Sequence, residues 1–275
     1  MKAPVIKAIL SMRERYYDPI TPGEIASEVF FSRFHFSRMF SRDTGVSPGR
    51  YLRAIRLFEA KRLLLTTSMT VSDIVCSVGY SSVGTFRTRF VQSVGMTPAQ
   101  YRHPVVDELL VAVAPGFHRL PSERTLRESG VYGTGVQLAT GGSVAGTVQL
   151  PRDVQPANLL VGLFSDAIPQ RGPVAFTAQS NVTSPEVSIN NVPDGDWWVL
   201  AVAESAVDGP GPVRSYLGTL PEPVTVTDGR ITRMSLRMRP AAPTDPPIAV
   251  TLATDELVDT DRVAAWHAPA LRAVA

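Results

Sequence analysis

The sequence predicts a multi-domain protein in which an all-α domain of two helix-turn-helix units is followed by an all-β sandwich domain. One observation is the spacing of apolar residues, which recur with a helical period up to about residue 104 and alternate with polar residues from about residue 143. A second is the charge. Residues 1–104 hold 15 Lys and Arg against 7 Asp and Glu, a net of +8, whereas residues 105–275 hold 12 against 18, a net of −6. A chain of 275 residues is also long enough for two domains.

Two short helices are predicted near the N-terminus, after a packing helix over residues 5–17. Thr21, Pro22 and Glu24 have the pattern of an N-cap, a first helical position and a capping-box partner. Ser32 is a second N-cap only a few residues later. Two helices with so brief a connection are typical of a helix-turn-helix unit, whose second helix can enter a DNA major groove.

This pattern occurs twice. Matching residues lie 49 positions apart up to the turn and 50 positions apart after it. The matched pairs are Ile25 and Ile74, Val29 and Val78, Phe31 and Tyr80, Phe36 and Phe86, Phe40 and Phe90, Gly45 and Gly95, Pro48 and Pro98, and Tyr51 and Tyr101. An internal duplication with one residue added in the turn explains both offsets. The helix from residue 48 to about residue 65 can hold the two reader helices roughly one DNA turn apart, at about 1.5 Å per residue.

The remaining composition argues against a membrane protein, a metal site and an enzyme. The single cysteine, Cys76, excludes an internal disulfide framework and a cysteine-based zinc site, and its apolar neighbours predict a buried side chain. No apolar run approaches the roughly 18 residues of a membrane span, and the first residues lack the apolar core of a secretory signal, so we expect a cytoplasmic protein. No phosphate loop, nucleophile elbow or zinc-binding His pair is present. We therefore predict no catalytic residues, no metal and no cofactor.

Several motifs within residues 5–102 carry a resemblance to a known family. They are Ile25-Ala26, Phe36-Ser37-Arg38-Met39-Phe40, Thr44-Gly45-Val46-Ser47-Pro48, Tyr51-Leu52, Arg62-Leu63-Leu64, Val71-Ser72-Asp73-Ile74, Val78-Gly79-Tyr80, Phe86, Arg89-Phe90 and Gly95-Met96-Thr97-Pro98-Ala99-Gln100-Tyr101-Arg102. This part of the chain resembles the DNA-binding domain of AraC/XylS-type transcription regulators. The resemblance implies seven helices, two helix-turn-helix units and an asymmetric DNA site. Most members carry this domain behind a sensor, whereas here it comes first.

The resemblance also implies which side chains contact DNA. In the first reader helix they are Arg33, Phe34, His35, Ser37 and Arg38, and in the second they are Ser82, Val83, Gly84, Thr85, Arg87 and Thr88. Arg38 can donate two hydrogen bonds to guanine, worth about 1–3 kcal/mol against the wrong base, whereas Thr88 at the equivalent position cannot. We therefore expect hydrogen-bonded base recognition mainly from the first reader, and apolar contacts and phosphate anchoring from the second. Arg50 is expected to contact phosphates, and Arg89 to face inward or toward a phosphate.

The second half of the chain has the pattern of short strands. They are predicted over residues 144–150, 159–164, 174–177, 187–192, 196–203, 224–227 and 231–238, the last two joined as a hairpin by Asp228-Gly229. This density of strands indicates a β-sandwich, which loosely resembles transthyretin-like or carboxypeptidase-regulatory-like modules. Trp197 and Trp198 are neighbours on one strand and must point to opposite faces. We expect one in the core and the other at an effector pocket or an interface.

We therefore divide the chain into a DNA-binding domain at 1–104, a linker at 105–142, a β-sandwich effector or interaction domain at 143–240 and a proline-rich tail at 241–275. The tail has candidate positions for a short strand at 249–252 and a helix around 255–266. The favoured function is a sequence-specific transcription regulator that binds double-stranded DNA. Its β-domain is expected to sense a small-molecule effector, to form a homodimer or to contact a protein partner such as RNA polymerase. The alternative is a glycan- or protein-binding adaptor with an accessory nucleic-acid-binding module.

Overall fold

The computed structural model describes residues 1–131, 141–207 and 214–259, which form a helical N-terminal part and a β-rich C-terminal part. This confirms the predicted fold class. Within these ranges, no helix combines the length and the apolar character needed to cross a membrane.

Seven α-helices occupy the first 108 residues, and the last of them lies beyond residue 102, where the AraC-type resemblance ends; a short 3₁₀ helix at Gln100–Arg102 completes the helices within it. The seven α-helices are α1 (Ala3–Glu14), α2 (Pro22–Glu28), α3 (Arg33–Thr44), α4 (Pro48–Thr66), α5 (Val71–Ser77), α6 (Val83–Val94) and α7 (Pro104–Glu108). We call α1–α3 the first unit and α5–α6 the second unit, with α3 and α6 as their reader helices. The long helix α4 connects the two units.

The helix ends follow from capping residues that the sequence displays. Thr21 accepts the backbone N–H of Glu24 at 3.3 Å, and the Glu24 carboxylate accepts the backbone N–H of Thr21 at 2.7 Å, so the predicted capping box is present. Thr70 caps α5 by accepting a backbone N–H at 3.2 Å. Gly45 and Gly95 end the two reader helices with φ of 76° and 90°. Glycine adopts this left-handed conformation at little cost, so both readers stop at the same point.

The duplication extends to the packing of aromatic rings. Each unit holds a row of three fully buried rings, which are Phe36, Phe40 and Tyr51 in the first and Phe86, Phe90 and Tyr101 in the second. Successive ring centroids are 5.5 and 5.5 Å apart in the first row and 5.4 and 5.6 Å apart in the second. The last two rings of each row meet nearly at right angles, at 83° and 87°, a favourable edge-to-face geometry. Each row anchors the inner face of its reader helix.

The left-handed position in the turn of each unit holds a different residue, and we expect substitutions there to have different effects. Phe30 has φ of 61° and its counterpart Gly79 has φ of 77°. A Cβ on Gly79 would lie 2.7 Å from the backbone oxygen of Tyr16, so Gly79→Ala should lower the free energy of unfolding by roughly 2–3 kcal/mol. Phe30→Gly should change it by less than about 1 kcal/mol, since Phe30 is 92% exposed and the loss of strain offsets the added backbone entropy. Urea unfolding of the full chain compares them, and equal losses would contradict the assignment of Gly79 to a crowded left-handed position.

Twelve strands lie in the described residues. They are β1 (Leu110–Ala114), β2 (Phe117–Arg119), β3 (Gly142–Gln149), β4 (Ala157–Phe164), β5 (Ala175–Val182), β6 (Glu186–Val192), β7 (Gly195–Ser205), β8 (Tyr216–Thr219), β9 (Val224–Val226), β10 (Ile231–Arg237), β11 (Arg239–Pro240) and β12 (Ile248–Thr251). One sheet has the order β10-β3-β6 and another the order β11-β8-β7-β4-β5, with β9 paired to β7. A third, small sheet has the order β12-β1-β2.

The β10-β3-β6 sheet and the sheet that contains β4 and β7 enclose the sandwich core. The outer face of β4 and β7 packs in a second core. Val199 and Ala201 of β7 point into the sandwich core between the sheets. Leu200 and Val202 point the other way, into a core shared with the second unit, α7 and the β12-β1-β2 sheet. We call this the shared core. Strand β4 is buried on both faces in the same manner, which explains its continuous apolar sequence.

The segment predicted as a linker is folded in its described part. It contains α7, β1, β2 and a helix α8 (Glu123–Glu128). Strand β1 pairs antiparallel with β12 from the predicted tail, and Leu110–Ala114 is buried along almost its whole length. Sequence patterns missed this pairing because five apolar residues are too short to show a period and the partner lies far along the chain. The helix predicted around 255–266 begins as α9 (Asp255–Asp259), and the rest of that prediction lies outside the described residues.

Two local predictions are wrong. Asp228 and Gly229 do lie in a turn, but they do not join a hairpin, because β9 pairs with β7 whereas β10 pairs in parallel with β3. Cys76 is exposed rather than buried. Its neighbours Ile74 and Val75 fill the buried face of α5, which leaves Cys76 on the outer side.

Candidate nucleic-acid interface

The first reader helix presents a polar and basic face to solvent. Arg33, Phe34, His35 and Arg38 are exposed, and Ser37 is partly buried. Phe34 keeps 81% of its surface exposed, an unusual state for a large aromatic side chain. Because the opposite face of α3 is held by the aromatic row, this face is available to a ligand without rearrangement of the core.

The exposed face of α3 is preorganised and positively charged. The ring of His35 stacks on Phe31, with centroids 5.2 Å apart and planes within 10° of parallel. Beside it lies an open hollow of about 470 Å³ whose lining includes Lys2, Arg38 and Arg42. Cations on neighbouring helical turns around one hollow favour an anion such as a phosphate.

The exposed face of the second reader helix carries smaller and less charged side chains than that of the first. Its predicted contact residues Ser82, Val83, Gly84, Thr85, Arg87 and Thr88 are all exposed. The hydroxyl of Thr88 donates to the backbone oxygen of Gly84 at 3.1 Å, which leaves it only acceptor capacity toward a base. Arg89 is also exposed, so the expectation that it faces inward is wrong. Phe86 and Phe90 already fill the buried face of α6.

Arg50 lies in an ion pair that the sequence did not reveal. Its guanidinium donates to the carboxylate of Asp166, in the connection between β4 and β5, and both side chains are about half exposed. Arg50 was expected to contact DNA phosphates. In this structure its charge is directed to the β-domain instead, because the connection passes beside the start of α4.

Lys61 of α4 is a second link between the domains, and it was also missed. Its side chain is fully buried. The Nζ atom donates to the backbone oxygens of Gln170 and Ala249, each at 2.7 Å, and reaches the Oε1 atom of Gln170 at 3.2 Å. Burial lowers the pKa of Lys61 to about 7. The three oxygens match the three donors of an ammonium group, so Lys61 fastens α4 to the β4–β5 connection and to β12.

The connection at residues 165–174 touches both helix-turn-helix units. Ile168 is buried in the core of the first unit, and the Arg171 guanidinium lies against Gly95, where a Cβ would come within 2.7 Å of its Nε atom. Gln170 receives the Lys61 hydrogen bonds between these two points. A β-domain segment therefore braces the helix that separates the readers.

Trp197 and Trp198 lie on opposite faces of β7, as expected of strand neighbours. Trp197 packs against the sandwich core, and its Nε1–H donates to the backbone oxygen of Pro193 at 2.8 Å. Trp198 is partly exposed and lines a cleft between the sandwich and the first unit.

His118, Glu204 and Ser215 are far apart in the sequence but form one hydrogen-bonded cluster. The Nε2 atom of His118 is 2.6 Å from Oε2 of Glu204, and its Nδ1 atom is 2.5 Å from Oγ of Ser215. The cluster joins β2 to β7 and to the start of β8. Sequence spacing could not have found it, because its members come from three distant segments.

Comparisons with known proteins match part of this chain. The model of a Helix-turn-helix domain family matches residues 25–103. An HTH-type transcriptional regulator of Mycobacterium tuberculosis is 41% identical over 29% of this chain and 31% of that protein. The lactose operon transcription activator of Staphylococcus xylosus is 33% identical over 35% of this chain and 34% of that protein. The right origin-binding protein of Escherichia coli is 32% identical over 37% of this chain and 35% of that protein.

The chain thus spans about a third of the length of these curated relatives. Among solved structures, a transcriptional regulator of Chromobacterium violaceum described as containing an AraC-type DNA-binding domain is 28% identical, with a TM-score of 0.35 over 36% of this chain and 88% of that one. The duplicated motifs, the paired helix-turn-helix units and the family match agree. Residues 25–103 are a helix-turn-helix domain of the AraC type.

Proposed function

We propose that the protein is a sequence-specific DNA-binding transcription regulator that inserts α3 and α6 into successive major grooves of double-stranded DNA. The observation that carries the proposal is the paired arrangement of the readers. Each has an aromatic row on its inner face and polar or basic side chains on its outer face. The relatives named above are transcription regulators and an origin-binding protein, which supports the same class of function.

The first reader is proposed to supply most of the hydrogen-bonded base recognition. Arg38 is exposed one turn beyond Phe34, so its guanidinium can reach the O6 and N7 atoms of guanine while Phe34 contacts a thymine methyl. Arg33 and His35 flank them at the start of the helix, where contacts to phosphates fix the register. Ser37, which is partly buried, contributes a hydroxyl at the edge of this face.

The second reader is proposed to fit a groove mainly by shape. Val83 and Gly84 offer a methyl surface and an open backbone, and a Cβ on Gly84 would meet only the Ser82 hydroxyl, at 3.9 Å. Thr85 and Arg87 are exposed beside them and can bind phosphates. Arg50 is expected to contribute less to phosphate binding than its position suggests, because Asp166 already neutralises it.

The β-domain is proposed to regulate this DNA binding by sensing a small molecule, by dimerising or by contacting a partner such as RNA polymerase. Its bonds to α4 and its segment against both units support a regulatory role over a separate adaptor role. We propose a structural role for the His118 cluster, because its hydrogen bonds join β2 to β7 and to the start of β8. It fastens the β1-β2 hairpin to the sandwich.

Arg38→Ala is expected to reduce discrimination between the preferred site and random DNA by roughly 10- to 100-fold, the equivalent of one lost bidentate contact to guanine. The preferred site is first obtained by selection from random duplexes with the full chain. Fluorescence anisotropy then gives the affinity of each variant for the selected and for the random duplex at fixed salt, since the electrostatic part of the affinity depends on salt.

Arg124→Ala is the matched control, because it removes an equal charge from the exposed surface of α8, where Arg124 pairs only with Glu128. It should leave the discrimination unchanged. Failure of the wild-type chain to enrich any sequence, or equal loss of selected and random binding in Arg38→Ala, would refute the proposed reader.

A further inference from the structure

A cleft of about 390 Å³ lies between the first unit and the sandwich. Its walls come from the end of α3, the start of α4, the β4–β5 connection and strands β7 and β8. This volume falls in the range of small-molecule sites, which occur preferentially at domain interfaces.

The cleft lies at the boundary between two hydrophobic bodies. The first half of α4, including Tyr51, packs in the core of the first unit, whereas the second half from Leu57 onward packs in the shared core. The second unit is therefore part of one apolar body with the outer face of the sandwich. The first unit reaches that body through α4, through Ile168 and through polar contacts such as the Tyr51 hydroxyl, which donates to the backbone oxygen of Thr244 at 2.8 Å. Contacts of this kind permit adjustment more readily than a continuous core does.

The wall on the sandwich side is apolar and aromatic. Trp198 pairs with Phe164 across β7 and β4, and both side chains line the cleft with Leu200 and Leu217. Phe164, Leu200 and Leu217 are almost fully buried and form the floor, whereas Trp198 is partly exposed. A partly exposed indole above an apolar floor favours a flat apolar ligand that stacks on it.

One arginine at the cleft, Arg42, has only a distant carboxylate partner. Two of the cleft's carboxylates are held by other arginines, Asp166 by Arg50 and Asp245 by Arg239 in a bidentate pair at 2.6 and 2.7 Å. Asp43 accepts the backbone N–H of Lys2 at 2.6 Å. The Arg42 guanidinium, in contrast, approaches Asp43 only to 3.9 Å and is 66% exposed at the mouth. An arginine in this state can bind a carboxylate or sulfonate through paired hydrogen bonds.

We propose that this cleft binds a small, flat, mostly apolar molecule that carries one anionic group, with its rings against Trp198 and its anion at Arg42. Such a ligand would bridge the sandwich and the last turn of α3. It would thereby fix the position of the first reader relative to the second. That consequence for DNA rests on the proposed function, whereas binding itself does not.

The test uses anilinonaphthalene sulfonate, an aromatic anion of suitable size, titrated into the full chain without DNA and followed by isothermal titration calorimetry. We expect one dye per chain. Trp198→Ala should weaken binding about tenfold or more, and Arg42→Gln should weaken it while leaving the affinity for neutral N-phenylnaphthylamine unchanged. Thr219→Trp, which fills the cleft from an exposed strand end, should abolish binding of both dyes.

Trp197→Phe is the matched control, because it changes the neighbouring tryptophan on the opposite face of the same strand. It should bind the dye within twofold of the wild-type affinity. Absence of binding to the wild-type chain, equal affinities of the two tryptophan variants or retention of binding by Thr219→Trp would each overturn the proposal. None of these measurements contains DNA, so they fail independently of the proposed function.

Discussion

Lys61→Met is expected to lower the free energy of unfolding by roughly 2–4 kcal/mol at pH 9. The substitution keeps the volume of the side chain but leaves the backbone oxygens of Gln170 and Ala249 without their donor in a buried place. Each buried carbonyl that loses its partner costs roughly 1–3 kcal/mol. Urea unfolding at equilibrium measures the difference.

The size of this loss should depend on pH. The folded chain holds Lys61 with a pKa lowered to about 7, whereas the unfolded chain keeps it near the ordinary value of 10.5. Between these values the unfolded state binds more protons, so wild-type stability rises with pH by up to about 1.4 kcal/mol per pH unit. The slope vanishes below pH about 7, where both states are protonated. Lys61→Met lacks this slope, and its deficit relative to wild type should shrink from pH 9 toward pH 7.

Lys7→Met serves as the control, because Lys7 is exposed on α1 and makes a single long hydrogen bond, of 3.3 Å, to the backbone of Glu28. It should unfold as the wild type does at each pH. A wild-type stability that is flat between pH 7 and pH 9, or identical slopes in wild type and Lys61→Met, would contradict the role of Lys61 as a buried link.

Phe90→Ala is expected to lower the free energy of unfolding by roughly 3–5 kcal/mol. We expect it to reduce hydrogen-exchange protection in both the helical and the β-rich parts. Phe90 is fully buried in the shared core, which contains both the second unit and the outer face of the sandwich. The equivalent Phe40→Ala removes the same ring from the core of the first unit. Among the described residues, Ile168 is the one β-domain residue that is buried in that core. Hydrogen exchange followed by mass spectrometry locates the loss in each variant.

Phe40→Ala should lose protection mainly in α1–α3, because the core of the first unit meets the shared core along α4, at the partly buried Tyr16 and at the β4–β5 connection. Phe90→Ala should lose it in α5, α6, β1 and β12 at once. Loss of protection in β1 and β12 from both variants to the same extent would show that the core of the first unit and the shared core unfold as one cooperative unit.

The helical domain could be predicted almost completely from sequence because its determinants are local. Thr21, Ser32 and Ser82 cap helices through bonds to residues three positions away, and Gly45 and Gly95 end them through their own conformation. Because the unit is duplicated, each of these local patterns occurs a second time and supports the first assignment. Exposure of the reader residues follows from the same helical period.

The features that were missed depend on partners distant in sequence. Arg50 and Asp166 lie 116 positions apart, and Lys61 and Gln170 lie 109 apart. Residues 110–114 form strand β1 because they pair with β12. A pattern of five residues cannot identify a partner so distant in sequence. Cys76 was misplaced for a related reason: apolar neighbours indicate burial only once the buried face of a short helix is known.

The central claim is that two readers on one chain occupy successive major grooves. Hydroxyl-radical footprinting of the selected duplex, with the full wild-type chain and with Arg38→Ala, measures this directly. The account predicts two protected segments on one face of the duplex, about 10 base pairs apart, and weakened protection of only one of them in Arg38→Ala. A single protected segment, or two segments that weaken equally, would contradict it.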